Sequence, residues 1–174
     1  MDLLQMHDKK LATPQLLPLR NRPASSSWLR GLQTAERAEN PHGKARVRKK
    51  SKLDGLRFER AVAGKLGGEH NPWFRYLDGR GWHYCSPDLL LDTGDFVLLV
   101  EVKLSDVAVA WSKLLGLYAP IVELVLAKPV VPVVVVKNLT PASKLVVTTL
   151  AEAVSQWKQQ PTLHWLGRGP FPWG

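Results

Sequence analysis

Pro87-Asp88 and, after twelve intervening residues, Glu101-Val102-Lys103 bring two carboxylates and an ammonium into one short stretch of chain. That set of charges suits the holding of Mg²⁺ against a phosphodiester. Leu89-Leu90-Leu91 and residues 96–100 are short apolar runs, and Asp92-Thr93-Gly94-Asp95 between them is turn chemistry, so the stretch reads as a β-hairpin. With Gly94-Asp95 at the centre of a type II′ turn, glycine takes the first position without steric cost. Asp88 then falls opposite Glu101, their Cβ atoms ~5 Å apart. A slip of one residue would send the two acids to opposite faces. Alternation along the strand gives Glu101 and Lys103 one face, and Val100 and Val102 the other. Two carboxylates placed this way, in a strand entering a core, repel each other and lose hydration. Without a cation, one of them takes up a proton near neutral pH. A divalent ion removes that penalty, and oxygen ligands select Mg²⁺ or Mn²⁺. The competing reading is an edge-strand ion pair between Glu101 and a lysine, with Asp88 as a turn cap after Pro87.

A third acid lies upstream. Residues 52–66 (KLDGLRFERAVAGKL) have helical periodicity, with Leu56, Val62, Ala63 and Leu66 on one stripe. Glu59 falls inside that stripe, while Arg57, Arg60 and Lys65 take other sides. An acid facing a core is costly unless it is paired. Either Glu59 pairs with Arg60 or reaches solvent at the edge of the stripe, or it supplies a further oxygen to the hairpin acids.

The order Glu59, Pro87-Asp88, Glu101-Val102-Lys103 resembles the PD-(D/E)XK nuclease superfamily, with its restriction-endonuclease-like fold. The resemblance spans residues 52–137. A following helix fits it: Ser105 is the expected N-cap and Asp106 suits the first turn, with Val107, Trp111, Leu114, Leu115 and Tyr118 as its stripe. Val130–Val136 (VVPVVVV) reads as a buried strand broken or bulged at Pro132. The exonuclease-like branch carries a glutamine four residues before a tyrosine in that helix. Leu114 stands there instead, so that branch is not supported. The resemblance implies that Asp88, Glu101 and the main-chain carbonyl of Val102 ligate Mg²⁺ and that Lys103 polarises water or stabilises charge on phosphorus. It also implies that Glu59 binds a second metal or orients water. Lys113 is either a phosphate contact or a solvated helix-face lysine.

Other chemistries fit poorly. Cys85 is the single cysteine, which excludes a disulfide framework and a cysteine-based zinc site within one chain. His7, His42, His70, His83 and His164 lack ligand spacing, and no phosphate-binding glycine loop occurs. His83 is close enough in sequence to approach the acids, though an ordinary strand histidine is the plainer reading.

Charge is uneven along the 174 residues. Residues 1–50 hold 11 Lys/Arg against 4 Asp/Glu, and residues 51–174 hold 13 against 11, so most of the net +9 sits in the first part. Lys44, Arg46, Arg48, Lys49 and Lys50 form a dense basic run beside the Glu59 helix, suited to contacting a nucleic-acid backbone. Prolines and a serine run argue against a packed fold there, with a short helix over 30–39 as the exception. A merely solubilising tail is the alternative. No basic n-region precedes a long apolar run, and the apolar stretch 120–136 carries Glu123, Lys128 and prolines, so neither a leader nor a membrane span is expected and the protein reads as intracellular and cytoplasmic. Trp73, Trp111 and Trp157 are expected in the core, and a helix is expected over 141–157. The tail carrying Trp165 and Trp173 should pack back across the sheet, with base stacking as the alternative.

The expected architecture is therefore α/β: a basic, poorly ordered arm over 1–50, then over 51–174 a restriction-endonuclease-like core with a mixed central sheet flanked by helices. The expected function is Mg²⁺-dependent hydrolysis of phosphodiester bonds in DNA, endonucleolytic, with Mn²⁺ able to substitute and a homodimer allowed. The alternative is a catalytically silent nuclease-like fold that binds nucleic acid or a protein partner.

Overall fold

The structure is a computed structural model that describes residues 28–43, 50–105, 107–141, 143 and 145–173, the side chains of Lys50 and Ser51 excepted. Lys44, Arg46, Arg48 and Lys49 of the basic run lie outside the described residues, as do Asp106 and the side chain of Lys50. The elements run β1 (Thr34–Ala38), α1 (Lys50–Leu66), β2 (Glu69–His70), β3 (Trp73–Asp78), β4 (Gly81–Cys85), β5 (Leu89–Asp92) and β6 (Val97–Lys103). Then come α2 (Ala108–Lys113), a π-helical turn (Leu114–Tyr118), α3 (Ala119–Leu126), β7 (Val130–Val136), β8 (Val146–Val147), α4 (Leu150–Ser155), a 3₁₀ turn (Trp157–Gln159) and β9 (Thr162–His164).

Six strands form a mixed sheet in the order β2-β5-β6-β7-β9-β8. Its β2, β5 and β6 are antiparallel, and β6, β7, β9 and β8 run parallel. β6 and β7 are near-continuous Val/Leu runs buried on both faces, the pattern of central strands covered on each side. Beneath one face lie α1, α4 and the C-terminal segment, with Phe58, Val62 and Leu66 packed against Leu98, Val100 and Val133. On the other face α2, the π turn, α3 and a separate three-stranded sheet (β1-β3-β4) enclose Leu99, Val134, Trp111 and Tyr118. The molecule is thus α/β, a mixed sheet flanked by helices.

Several local expectations are corrected. Residues 34–38 are strand, not helix: β1 pairs along its length with β3, and that tertiary pairing outweighs the helix preference of Ala-Glu-Arg-Ala. The folded body therefore begins ahead of residue 51. Phe58, absent from the expected stripe of α1, is buried at its centre. The N-cap of α2 is Val107, with no side-chain cap, rather than Ser105. β7 passes through Pro132 without a bulge, in register with Leu99. The reason lies in the ladder: Val97 N–H donates to Pro129 O and Lys137 N–H to Lys103 O, so odd-numbered residues of β7 face β6 and Pro132 faces the other way. On that side β9 pairs only from Val134 onward, so no donor is required of the proline. Over 141–157 the chain forms β8 and a shorter α4, started by a capping box in which Thr149 and Glu152 satisfy each other's backbone donors. Trp111 and Trp157 are buried, whereas Trp73 is only half-buried. Trp165 stacks on Phe58 at 6.0 Å and meets Phe171 edge-on, so the tail does pack back. The rod Ala108–Leu126 is long and apolar enough to span a membrane by length and composition, but half of it is buried in the protein as a core helix.

Gly67 and Gly68 close α1 and lead into β2, both with positive φ. A Cβ on Gly68 would lie 2.3 Å from the Leu90 carbonyl oxygen, whereas one on Gly67 would meet nothing within 4 Å. Gly67→Ala should cost only its left-handed strain, about 1 kcal/mol. Gly68→Ala should cost clearly more, because β2 must move off β5. Equal urea midpoints for the two variants would contradict this.

Candidate active site

The hairpin has the register its turn dictates. Leu89, Leu90, Leu91 and Asp92 oppose Val100, Leu99, Leu98 and Val97. Gly94 takes φ +92°, Thr93 N–H donates to Phe96 O at 3.0 Å, and Asp92 Oδ1 accepts from Gly94 N–H at 2.9 Å. Extended by one residue, this register sets Asp88 across from Glu101.

β5 begins at Leu89, so the β5 side of β6 is left without a ladder partner beyond Val100. Asp88 fills the gap with its side chain: Oδ2 accepts from Val102 N–H at 2.7 Å. In an extended strand the N–H and C=O of one residue point the same way, so the Val102 carbonyl is also directed to this side. Glu101, in the middle of the sheet, is wholly buried. Its Oε1 lies 2.6 Å from Lys103 Nζ, yet among the described residues neither of its oxygens finds a well-aligned hydrogen-bond donor. The same ammonium is 3.5 Å from Asp88 Oδ2. The Glu101–Lys103 pair of the plainer reading is therefore present, but on a central strand, where desolvation is far costlier than at an edge.

Electrostatics reflect the burial. Asp88 is pushed up from 3.8 to about 7, first by loss of hydration and then by the Glu101 charge, with Glu59 adding to it. Lys103 and the Val102 N–H work against the rise. Burial acts to lower Lys103, but the charges of Asp88 and Glu101 outweigh it and hold the ammonium above the usual lysine range. The Tyr118 phenol is raised by burial and then by the same two acids, and its O–H donates to Ser86 O at 2.9 Å. Lys113 is half-buried, its ammonium 4.6 Å over the Tyr118 ring.

Glu59 reaches the same end of the sheet from α1 without Arg60. Its Oε1 pairs with His70 Nε2 at 2.6 Å and accepts from Asn71 Nδ2 at 2.8 Å. Asn71 N–H in turn donates to Asp88 O at 2.9 Å, so one residue links the helix acid to the hairpin acid. Sequence reasoning missed His70 and Asn71. The available signal was Asn71 itself, before Pro72 and after two glycines: a turn position that asparagine fills in the left-handed region, here at φ +53°. His83 turns to Asp78 at 3.3 Å and takes no part. Cys85 is buried, its thiol pushed up to about 12 by that burial, and cannot serve as a nucleophile. A cleft of about 380 Å³ opens between α1 and β6, lined among others by Lys52, Gly55, Glu59, Val102 and Lys103.

Among the described residues no three His, Cys, Asp or Glu side chains stand close enough to enclose a metal ion as placed. A site here would combine two side-chain carboxylates with the Val102 main-chain oxygen. Comparison with family models, with curated proteins and with solved structures finds no match.

The raised Asp88 has a signed consequence. An acid whose pKa rises on folding stabilises the protein below its ordinary pKa, and that contribution is lost as pH climbs through the folded value of about 7. In EDTA, Asp88→Asn should therefore be more stable than wild type at about pH 8, by up to a few kcal/mol at ~1.4 kcal/mol for each tenfold change in proton affinity. The difference should close near pH 4. Urea midpoints that differ equally at both pH values would contradict it.

Proposed function

We propose that this protein is a Mg²⁺-dependent nuclease that hydrolyses phosphodiester bonds in DNA, with a restriction-endonuclease-like core of the PD-(D/E)XK kind. The observation that carries this reading is the wholly buried Glu101, facing Asp88 across the open end of the hairpin with Lys103 within reach of both. The order of parts supports it: an acid-bearing helix, an antiparallel hairpin, a helix returning across the sheet, and a parallel strand beside the hairpin. The donor set fits a hard divalent cation. Two carboxylates and a carbonyl are all oxygen, one acid is protonation-prone for want of positive charge, and the other has no well-aligned donor on either oxygen among the described residues.

Bound there, Mg²⁺ would lower the pKa of an attacking water and neutralise charge on the phosphate oxygens. Asp88, Glu101 and the Val102 carbonyl would hold it, with the Val102 N–H fixing the Asp88 carboxylate. Lys103 then has a second task. Its ammonium is within reach of both acids and would be the group that stabilises charge developing on the scissile phosphate. Glu59, held by His70 and Asn71 at the edge of the cleft, would orient water. The basic run over 44–50, with a net charge of +9 on the whole chain, supports a nucleic-acid substrate held by its backbone.

A second reading has its own support: Lys103 neutralises the acids without any ion, as in a nuclease-like fold that only binds. Nicking of supercoiled plasmid separates the two. Wild type should cleave in Mg²⁺ and not in EDTA, and Asp88→Asn should fold and not cleave. Cleavage by Asp88→Asn at the wild-type rate would reject the assignment, and cleavage by neither protein would favour the binding-only fold. Lys103→Met should lower single-turnover cleavage about 10²-fold or more, while affinity for DNA in Ca²⁺ moves only a few-fold. A wild-type rate at saturating DNA would make Lys103 a binding residue.

A further inference from the structure

A second surface with recognisable chemistry lies just upstream of Asp88, on the outer face of the three-stranded sheet. β4 is one of its two edge strands. His83 and Cys85 point inward, and the outward positions carry Trp82 and Tyr84, 53% and 47% exposed. Arg75 of β3 lies directly opposite Tyr84. Its guanidinium sits 5.1 Å over the Trp82 ring, and its Nε pairs with Glu36 of β1. Outward positions of a half-buried strand are ordinarily polar. Two large adjacent rings in that place, with a cation laid over one, form a surface suited to stacking on a planar ligand.

The spacing of the rings selects among ligands. Residues two apart on a strand are separated by ~6.6 Å, about twice the ~3.4 Å rise between bases in a stacked helix. Successive bases can each take one ring only when the strand is drawn out of its helix, which excludes an intact duplex. Each base offers a π-face whatever its identity, and the guanidinium suits both a ring and a phosphate. The excess of positive charge on the chain complements a polyanion. Position agrees as well, since Tyr84 precedes Asp88 by four residues, at most ~14 Å of chain and so about two steps of a drawn-out strand.

We propose that Trp82, Tyr84 and Arg75 form a stacking platform for single-stranded nucleic acid that leads the strand toward Asp88 and Glu101. The direction of lead rests on the nuclease reading; the binding itself does not.

The test is equilibrium binding in EDTA, so that no cleavage is needed. Fluorescence anisotropy is read with labelled oligo(dT), oligo(U) and a mixed-sequence duplex. Wild type should bind a single strand, and the tighter of oligo(dT) and oligo(U) identifies whether DNA or RNA is preferred. Trp82→Ala and Tyr84→Ala should each weaken that binding about tenfold, with duplex affinity unchanged. Trp82→Phe, which keeps a ring, should retain most of it, and addition of oligo(dT) should quench a tryptophan signal in wild type that this variant lacks. Unchanged melting midpoints would show that the alanine variants fold; if they do not, the quenching comparison decides alone. Equal losses on duplex and single strand, no loss, or no wild-type single-strand binding would overturn the platform. So would a variant that alters sedimentation without altering strand binding, which would make the face a contact between copies of the chain. Normal strand binding by the platform variants, beside Asp88-dependent cleavage, would reject the platform and leave the nuclease reading intact.

Discussion

The carboxylate of Glu101 sits in the centre of a six-stranded sheet, out of contact with water, and its close charge partner is the ammonium two residues along the same strand. Burying an ion in this way costs several kcal/mol that a single pair seldom returns in full. The surrounding parts compensate in recognisable ways. β5 stops one residue short of the acid, so Asp88 can turn its side chain into the vacated ladder position. The cation is shared between two acids, and Asp88 is poised to give up its charge near neutral pH. A stability-driven design would have replaced this cluster with valine, as β7 does alongside it. Retaining charge where Val134 and Val136 flank it is the physical argument for chemistry at this position.

The scaffold holds the cluster from three directions. The hairpin turn sets the register, with Asp92 Oδ1 accepting from Gly94 N–H, the Thr93 hydroxyl donating to Phe96 O, and Lys128 tying Asp92 from the loop before β7. The β2 segment, brought against β5 by the close approach of Gly68, carries His70 and leads into Asn71, and the two turn Glu59 from a stripe residue of α1 into a neighbour of Asp88. On the far face, the π turn delivers Tyr118 to the Ser86 carbonyl. A π turn inserts one residue into the helical ladder and rotates the residues after it, a feature found often where a helix must aim a side chain at a site.

The three-stranded sheet links these parts to the rest. Arg37 of β1 lies over the Phe74 ring and pairs with Glu69 of β2 at 2.8 Å, so the small sheet is fastened to the edge that leads into Asn71. Its outer face is the one with exposed aromatic rings, and its last strand runs into Ser86-Pro87-Asp88. Substrate contacts made on β4 would thus be coupled to the acids through continuous backbone.

The hairpin is legible in the sequence because everything that determines it is local. Gly94 permits one turn, and the turn sets the register that brings Asp88 to Glu101. The same holds for α1, whose stripe repeats along one segment, and for β7 with its run of valines. Beyond the reach of the sequence were the partners supplied from a distance. Thr34–Ala38 has the composition of a helix and is a strand because the edge of β3 is there to pair with it. Pro132 has the look of a break, and passes unbroken because β9 begins to pair two residues later. Glu59 stands out in the sequence as an acid on an apolar stripe, but His70 and Asn71 become its partners only once β2 has docked on β5. A turn or a periodicity is encoded in adjacent residues, whereas hydrogen-bond satisfaction and desolvation depend on which segments meet. Residue types and local geometry at this site were therefore determined by the sequence alone, and the burial that gives them their charge states was decided by tertiary packing.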